Sequence, residues 1–304
     1  MIVRQRAHWL RMLFIWRGSV LKKIIVQLSV ILLFSLFIYF FKGRIFDYKV
    51  HLNPTIFTLI GLALAIFMGF CNSASYDRFW EGRKLWGLLV IETRSLTRQI
   101  FSFIPNVSKD EKQKIVQLIS AFCWSLNNQL REKSGTENLS HLLSAEQMGQ
   151  INGKKFIPNI ILGFIADWLY EQHQKGNIDT IILAQMDNEL NQFSNISGGC
   201  ERIHNTPLPF AYSVLLHRTV YLYCFWLPFG LVDSLGWMMP LIVLLISYTF
   251  IALDAIIQEI GEPFGEEEND LALNSICRTI EFSIFEQAEI PQGELKKPDS
   301  YFVD

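Results

Sequence analysis

Charge is scarce in this chain, and so are interruptions to its apolar runs. Asp, Glu, Lys and Arg make up only 18% of the 304 residues, against roughly 25% in soluble domains, while 50% are hydrophobic and 13% aromatic. That balance argues against a soluble globular enzyme. The formal net charge is −2 and no block of Lys and Arg carries interleaved aromatics, so a nucleic-acid-binding surface is missing as well. The five cysteines, Cys71, Cys123, Cys200, Cys224 and Cys277, are odd in number and form no CxxC pair. Neither a disulfide framework nor a zinc site is encoded, which leaves buried, inert thiols. The sequence also has no G-x-S-x-G, no H-E-x-x-H and no glycine-rich phosphate loop, so enzyme chemistry has no ordered set of residues to stand on. In the polar insert strand signals are essentially absent.

What is present is long apolar sequence. Eighteen uncharged residues lie between Lys23 and Lys42, about 27 Å of helix and close to the hydrocarbon thickness of a bilayer. No A-x-A-like cleavage site follows, so this is a span and not a signal peptide. A second uncharged run, Leu52 to Tyr76, opens with Asn53-Pro54, a cap and a first-turn proline that fix the helix start. From Thr219 to Leu253 only Asp233 bears a charge. Thirty-five residues are too many for one span and suit two, with Pro228, Asp233 and Gly236 supplying the turn. The predicted spans are residues 24–42, 54–75, 212–232 and 236–256.

An even number of spans places both termini on one side. Arg4, Arg6, Arg11, Arg17, Lys22 and Lys23 precede the first span, against Arg44 and Lys49 in the first turn and neither Lys nor Arg in the second. The termini and the polar insert therefore face the cytoplasm. The insert, about 76–209, reads as helical throughout. Phe79, Trp80, Leu85, Trp86, Leu89 and Val90 recur at helical intervals, so the second span continues out of the membrane as one long helix. Further helical patterns at 111–131, 156–174 and 177–195 are set apart by Gly/Ser/Asn clusters at 134–140, 149–153 and 197–199. Residues 257–285 complete the helical cytoplasmic part. The tail, 286–304, has two prolines and little periodicity, and reads as a loose extension.

Three features carry functional weight. In the second span Gly61, Ala65, Gly69 and Ser73 form a stripe of small residues suited to close helix packing. One position along, Leu62, Ile66 and Phe70 form a bulky apolar stripe. If the helices surround a symmetry axis, those three make stacked apolar rings that can gate by dewetting; otherwise they face lipid or a neighbouring helix. The segment EIGEPFGEEEND, residues 259–270, holds six carboxylates in twelve residues. Such oxygen-rich turns suit a hard cation such as Ca²⁺, although the EF-hand spacing is not met and a solvated acidic face has the same composition. Finally, His217-Arg218 at the start of the third span and Asp254 at the end of the fourth occupy interface-anchoring positions.

NSASYDRFWEGRKLWG at 72–87, LPFAYSVLLHRTVYLYCFWLPFGL at 208–231 and IGEPFGEEENDLALN at 260–274 resemble, in order, three characteristic segments of the bestrophins, and the chain is similar to their bacterial branch over residues 1–285. The resemblance implies an all-α polytopic membrane protein with four transmembrane helices per subunit and a helical cytoplasmic domain, forming a homopentamer around a single central pore. The pore neck would map onto Leu62, Ile66 and Phe70. A second, cytosolic aperture would fall on Thr180 or Ile181. A Ca²⁺ clasp of the animal members would map onto Glu259, Glu262, Glu267 and Asp270, where longer Glu side chains disturb the geometry. No cofactor is required by the resemblance. The partners it implies are further copies of the chain, membrane lipid and permeating monovalent ions. The acidic cytoplasmic segments lean towards Na⁺ and K⁺; the alternatives are an anion channel like the animal members or a non-conducting, membrane-anchored assembly protein.

Overall fold

The computed structural model of the protein describes residues 8–12, 14–16, 18–45, 48–49 and 52–293. Arg4, Arg6 and Arg17 of the orientation argument, and residues 294–304 of the tail, lie outside the described residues. The chain opens with a short α1 (Trp9–Met12) and α2 (Leu21–Phe40), followed by β1 (Arg44–Ile45) and β2 (Tyr48–Lys49), which pair antiparallel with Arg44 opposite Lys49. Then come α3 (Pro54–Phe103), α4 (Lys109–Leu130), α5 (Ala145–Ile151), α6 (Ile157–Gln174), α7 (Thr180–Asn205), α8 (Phe210–Leu235), a 3-10 turn (Gly236–Met238), α9 (Met239–Gly261) and α10 (Leu273–Gln287). The chain forms two compact units, Gln5–Phe79 with Pro207–Glu262, and Trp80–Thr206 with the chain from Pro263 onward. α3 is unbroken over its 50 residues and contributes to both.

In the first unit, α2, α8, α9 and the opening half of α3 bury narrow seams. Ile24, Leu28, Ile31, Ser35 and Ile38 are the buried positions of α2, spaced alternately by four and three as in a coiled-coil contact. α3 repeats the spacing with Leu64, Met68, Cys71 and Ser75. The remaining faces stay apolar and exposed, as at Leu33, Leu222, Leu241 and Leu245. Among the described residues three stretches are long and apolar enough to cross a membrane: Leu21–Phe40, α3, and Phe210–Gly261, which the 3-10 turn interrupts. As the Asn53-Pro54 pair predicts, α3 starts at Pro54, with the Thr55 N–H donating to Asn53 Oδ1 at 2.9 Å.

The predicted turn residues need correction. Pro228 and Asp233 both lie inside α8, and the chain reverses only at Gly236, whose φ of +53° favours glycine. At the far ends of these helices Lys23 Nζ meets Glu259 Oε2 at 3.2 Å, and Arg78 Nε donates to the Gly261 carbonyl at 2.9 Å. The start of α2 and the end of α9 therefore lie together.

The second unit is built around α4, whose residues from Ile115 to Asn128 are buried almost without interruption. Ser108 caps it by accepting from the Glu111 N–H, and a Ser144/Gln147 capping box starts α5. The Ser197-Gly198-Gly199 cluster does not separate helices as predicted, but lies inside α7. A Cβ on Gly199 would approach Leu85 Cδ1 to 2.9 Å, so glycine here marks close helix packing. The near part of the tail is also better held than its composition suggests. Ala288 is fully buried, and Gln113 Nε2 donates to its carbonyl at 3.0 Å.

Candidate functional site

The opening half of α3 has two opposed faces. Its buried seam packs towards α8 and α9: the Phe57 ring occupies the space a Cβ on Gly230 would need, and Ser75 lies beside Gly261. At 100° per residue, Leu62, Ile66 and Phe70 point roughly 170° away from that seam. They are 60%, 54% and 71% exposed. Three large apolar side chains thus stand one above another, about 6 Å apart along the axis, each left more than half uncovered by the described residues.

The small stripe beside them is not the packing face within the chain. Of its two glycines only Gly61 has a close neighbour, where a Cβ would come 2.9 Å from the Tyr223 hydroxyl. Ala65, Gly69 and Ser73 are exposed, and nothing lies within 4 Å of a Cβ placed on Gly69. The bulky seam makes the intrachain contacts because large side chains interdigitating with α8 and α9 bury more apolar area.

Thr180 and Ile181 are the first two residues of α7, set by Asp179, whose Oδ1 accepts from the Ile182 N–H at 2.8 Å. Both are exposed, Ile181 at 79%. Of the four clasp-like acids, Glu259 is buried on α9 and paired with Lys23, and Glu262 follows the last turn of α9. Asp270 Oδ2 accepts from the Glu267 N–H at 2.8 Å, stabilising its own loop. Among the described residues no three His, Cys, Asp or Glu side chains gather as a metal site would require.

Two groupings escape sequence reasoning because their members lie far apart in the chain. His217 Nδ1 sits 3.0 Å from Asp254 Oδ2, joining two positions flagged only separately. On α3 and α7, a hydrogen bond to Glu189, aided by burial, pushes the Glu92 carboxyl up to about 7, and Gln99 Nε2 donates to Glu189 Oε1 at 2.7 Å. All five cysteines are buried and unbridged. Burial pushes the Cys200 thiol up to about 12 and raises Cys123 and Cys277 above the usual thiol range, so these three are unreactive.

Helices of membrane length with apolar outer faces, joined to a helical unit with a polar exterior, define a helical membrane protein. The profile of the Bacterial/Fungal Bestrophin protein family matches residues 1–286, and the chain belongs to that family. It is 42% identical to a voltage-dependent anion channel-forming protein of Ralstonia nicotianae over 93% of each chain. It is 41% identical to YneE of Escherichia coli O157:H7, which bears the same descriptive name, over 99% of each. The crystal structure of a bacterial bestrophin homolog from Klebsiella pneumoniae superposes with a TM-score of 0.85 at 39% identity, covering 88% of this chain and all of that one.

Proposed function

We propose that this protein is a passive ion channel of the bacterial inner membrane, in which copies of the chain, five by the family resemblance, gather their α3 helices around a central pore. The observation that carries the reading is the exposed apolar column Leu62, Ile66 and Phe70, opposite the seam that holds α3 to its own chain. Water is poorly held between apolar rings, so such a neck resists ion passage until it widens. The exposed small residues on its flank, Ala65, Gly69 and Ser73, give a neighbouring copy room for close approach. The pairing of Lys23 with Glu259 and the reversal at Gly236 support four membrane passes in this reading, with both termini assigned to the cytoplasm by the positive charge before the first span.

The names of the relatives are the reason to assign anions as the permeating species. Exposed Arg83, Lys84, Arg94 and Arg98 on the second half of α3, against a single exposed acid on the whole helix, Asp77, favour the same sign. The cation reading expected from the acidic segments keeps one specific support, the exposed Asp179 next to Thr180. Purified protein in liposomes under separate Na⁺, K⁺ and Cl⁻ gradients distinguishes the two. A reversal potential that tracks Cl⁻ is expected, and one that tracks Na⁺ or K⁺ reverses the assignment.

Changing Leu62, Ile66 and Phe70 together to Ala is expected to raise flux severalfold. Absence of flux in both proteins, with a monomeric detergent particle, would instead identify an anchored assembly protein. Thr180→Ile is expected to lower flux by narrowing a hydroxyl-lined exit, and unchanged flux removes Thr180 from the aperture. With Glu259 already paired to Lys23, the channel is read as independent of Ca²⁺, and a change in flux on adding EGTA contradicts that.

A further inference from the structure

The start of α8 and the end of α9 line an open cavity of about 560 Å³ that includes none of Leu62, Ile66 and Phe70, within the size range of small-molecule sites. Its wall divides by chemistry. Phe210, Val214 and Ile257 form the apolar part, while His217, Arg218 and Glu262 form the polar part. Arg218 is exposed and makes no ion pair with another described residue. His217 is oriented by Asp254, a buried residue whose Oδ2 lies 3.0 Å from Nδ1 and whose Oδ1 accepts from Gln258 Nε2 at 3.2 Å. With Nδ1 engaged, Nε2 is the ring nitrogen left to a ligand.

The depth of the cavity selects the ligand. Counting at 1.5 Å per residue, His217 and Ile257 lie about 29 and 32 Å of helix from the turn at Gly236, which is the thickness of a hydrocarbon core. The cavity therefore sits at headgroup level on the membrane face opposite that turn. Exposed Phe210 and Tyr212 flank it, as aromatic side chains do at such interfaces. A phosphate is matched by the free guanidinium of Arg218 with the imidazole beside it. Glu262 on the same rim offers a carboxylate to a cation.

We propose that this cavity holds one phospholipid bearing a phosphoethanolamine headgroup, with its phosphate on Arg218 and His217, its ammonium on Glu262 and its glycerol and acyl chains against Phe210, Val214 and Ile257. A phosphatidylglycerol brings the phosphate but no ammonium, leaving Glu262 unpaired close to a second negative charge. The lipid thus joins α8 to α9 at the membrane surface, whatever ion the protein conducts.

Native mass spectrometry of delipidated full-length protein, titrated with phosphatidylethanolamine or phosphatidylglycerol, tests the assignment without measuring flux. The unmodified protein is expected to retain the ethanolamine lipid about tenfold better. Arg218→Gln is expected to weaken that retention about tenfold, the effect of one charge-assisted hydrogen bond. Glu262→Gln is expected to abolish the preference between the two lipids while leaving phosphatidylglycerol binding intact. Both side chains are exposed, so unchanged melting temperatures in detergent are expected for both variants. Equal retention of the two lipids by unmodified protein, or full retention in Arg218→Gln, overturns the proposal. So does complete displacement of the lipid by an equal concentration of soluble O-phosphoethanolamine, which would make the headgroup alone the ligand.

Discussion

α2 and α4 are helices of similar length with opposite relations between composition and burial. α2 is almost wholly apolar, yet buries only the seam Ile24, Leu28, Ile31, Ser35 and Ile38. α4 carries Ser120, Ser125, Asn127 and Asn128 in its sequence and buries all of them. The difference lies in what surrounds each helix. Hydrocarbon covers the outer faces of α2 without supplying hydrogen bonds, so every polar group there must be satisfied within the helix, as Ser29 Oγ is by the Ile25 carbonyl at 2.8 Å. Protein covers α4, and protein can answer polar groups specifically. Ser120 Oγ and Trp124 Nε1 both donate to Glu281 Oε2, and Asn127 Nδ2 donates to Asn274 Oδ1.

The contrast can be broken most sharply by paired truncations. Phe122 is fully buried on α4, edge-on to Phe193 with ring centroids 5.3 Å apart. Phe122→Ala is expected to destabilise the protein by about 3–5 kcal/mol. Leu33→Ala on α2 removes a side chain that is 66% exposed, where lipid is as apolar as leucine, and is expected to cost less than about 0.5 kcal/mol. Equal losses in denaturant titrations would mean that α2 is covered by protein after all.

A second pair separates contacts within the chain from contacts between copies. Gly230→Ala places a methyl group against the Phe57 ring and is expected to cost about 1–3 kcal/mol in chain stability. Gly69→Ala meets nothing within 4 Å, so melting is expected to hold. Under the channel reading it should nevertheless reduce the fraction of assembled particle, measured by light scattering. A Gly69→Ala protein that assembles normally removes the small stripe from the interface between copies.

The smallest expected effect is a pH dependence confined to the polar unit. Glu92 binds its proton more tightly in the folded protein, at about 7, than an ordinary carboxyl near 4.5 does. Its stabilising contribution is therefore complete below about 4.5 and is lost as pH rises through 7. Melting temperature is expected to be lower at pH 8 than at pH 6, and the difference should shrink in Glu92→Gln. An unaltered difference would place the titrating group elsewhere.

Much of this is legible in the amino-acid sequence. The apolar runs located α2, α8 and α9 to within a few residues, because lipid imposes a simple rule on composition. The Asn53-Pro54 pair gave the first residue of α3, since capping is chemistry local to the chain. Signals with two physical causes are ambiguous in sequence. The Ser197-Gly198-Gly199 cluster has the composition of a break, yet Gly199 is a packing residue against Leu85. Proline favours turns, yet Pro228 is buried inside α8, and the positive φ of Gly236 marks the reversal of the chain. The carboxylates at 259–270 were grouped by proximity in sequence, while their partners, Lys23 for Glu259 and both Arg131 and Lys133 for Glu266, come from far along the chain.

By itself the sequence determined that the chain is helical, that it enters a membrane, and that Leu62, Ile66 and Phe70 share one face, because solvent preference and helical period act on every residue independently of distant ones. Only the tertiary structure decided which face of α3 is held by α8 and α9 and which is left open. It alone brought His217 to Asp254 and Glu92 to Glu189. Those outcomes depend on which surfaces meet, and a one-dimensional pattern does not state that.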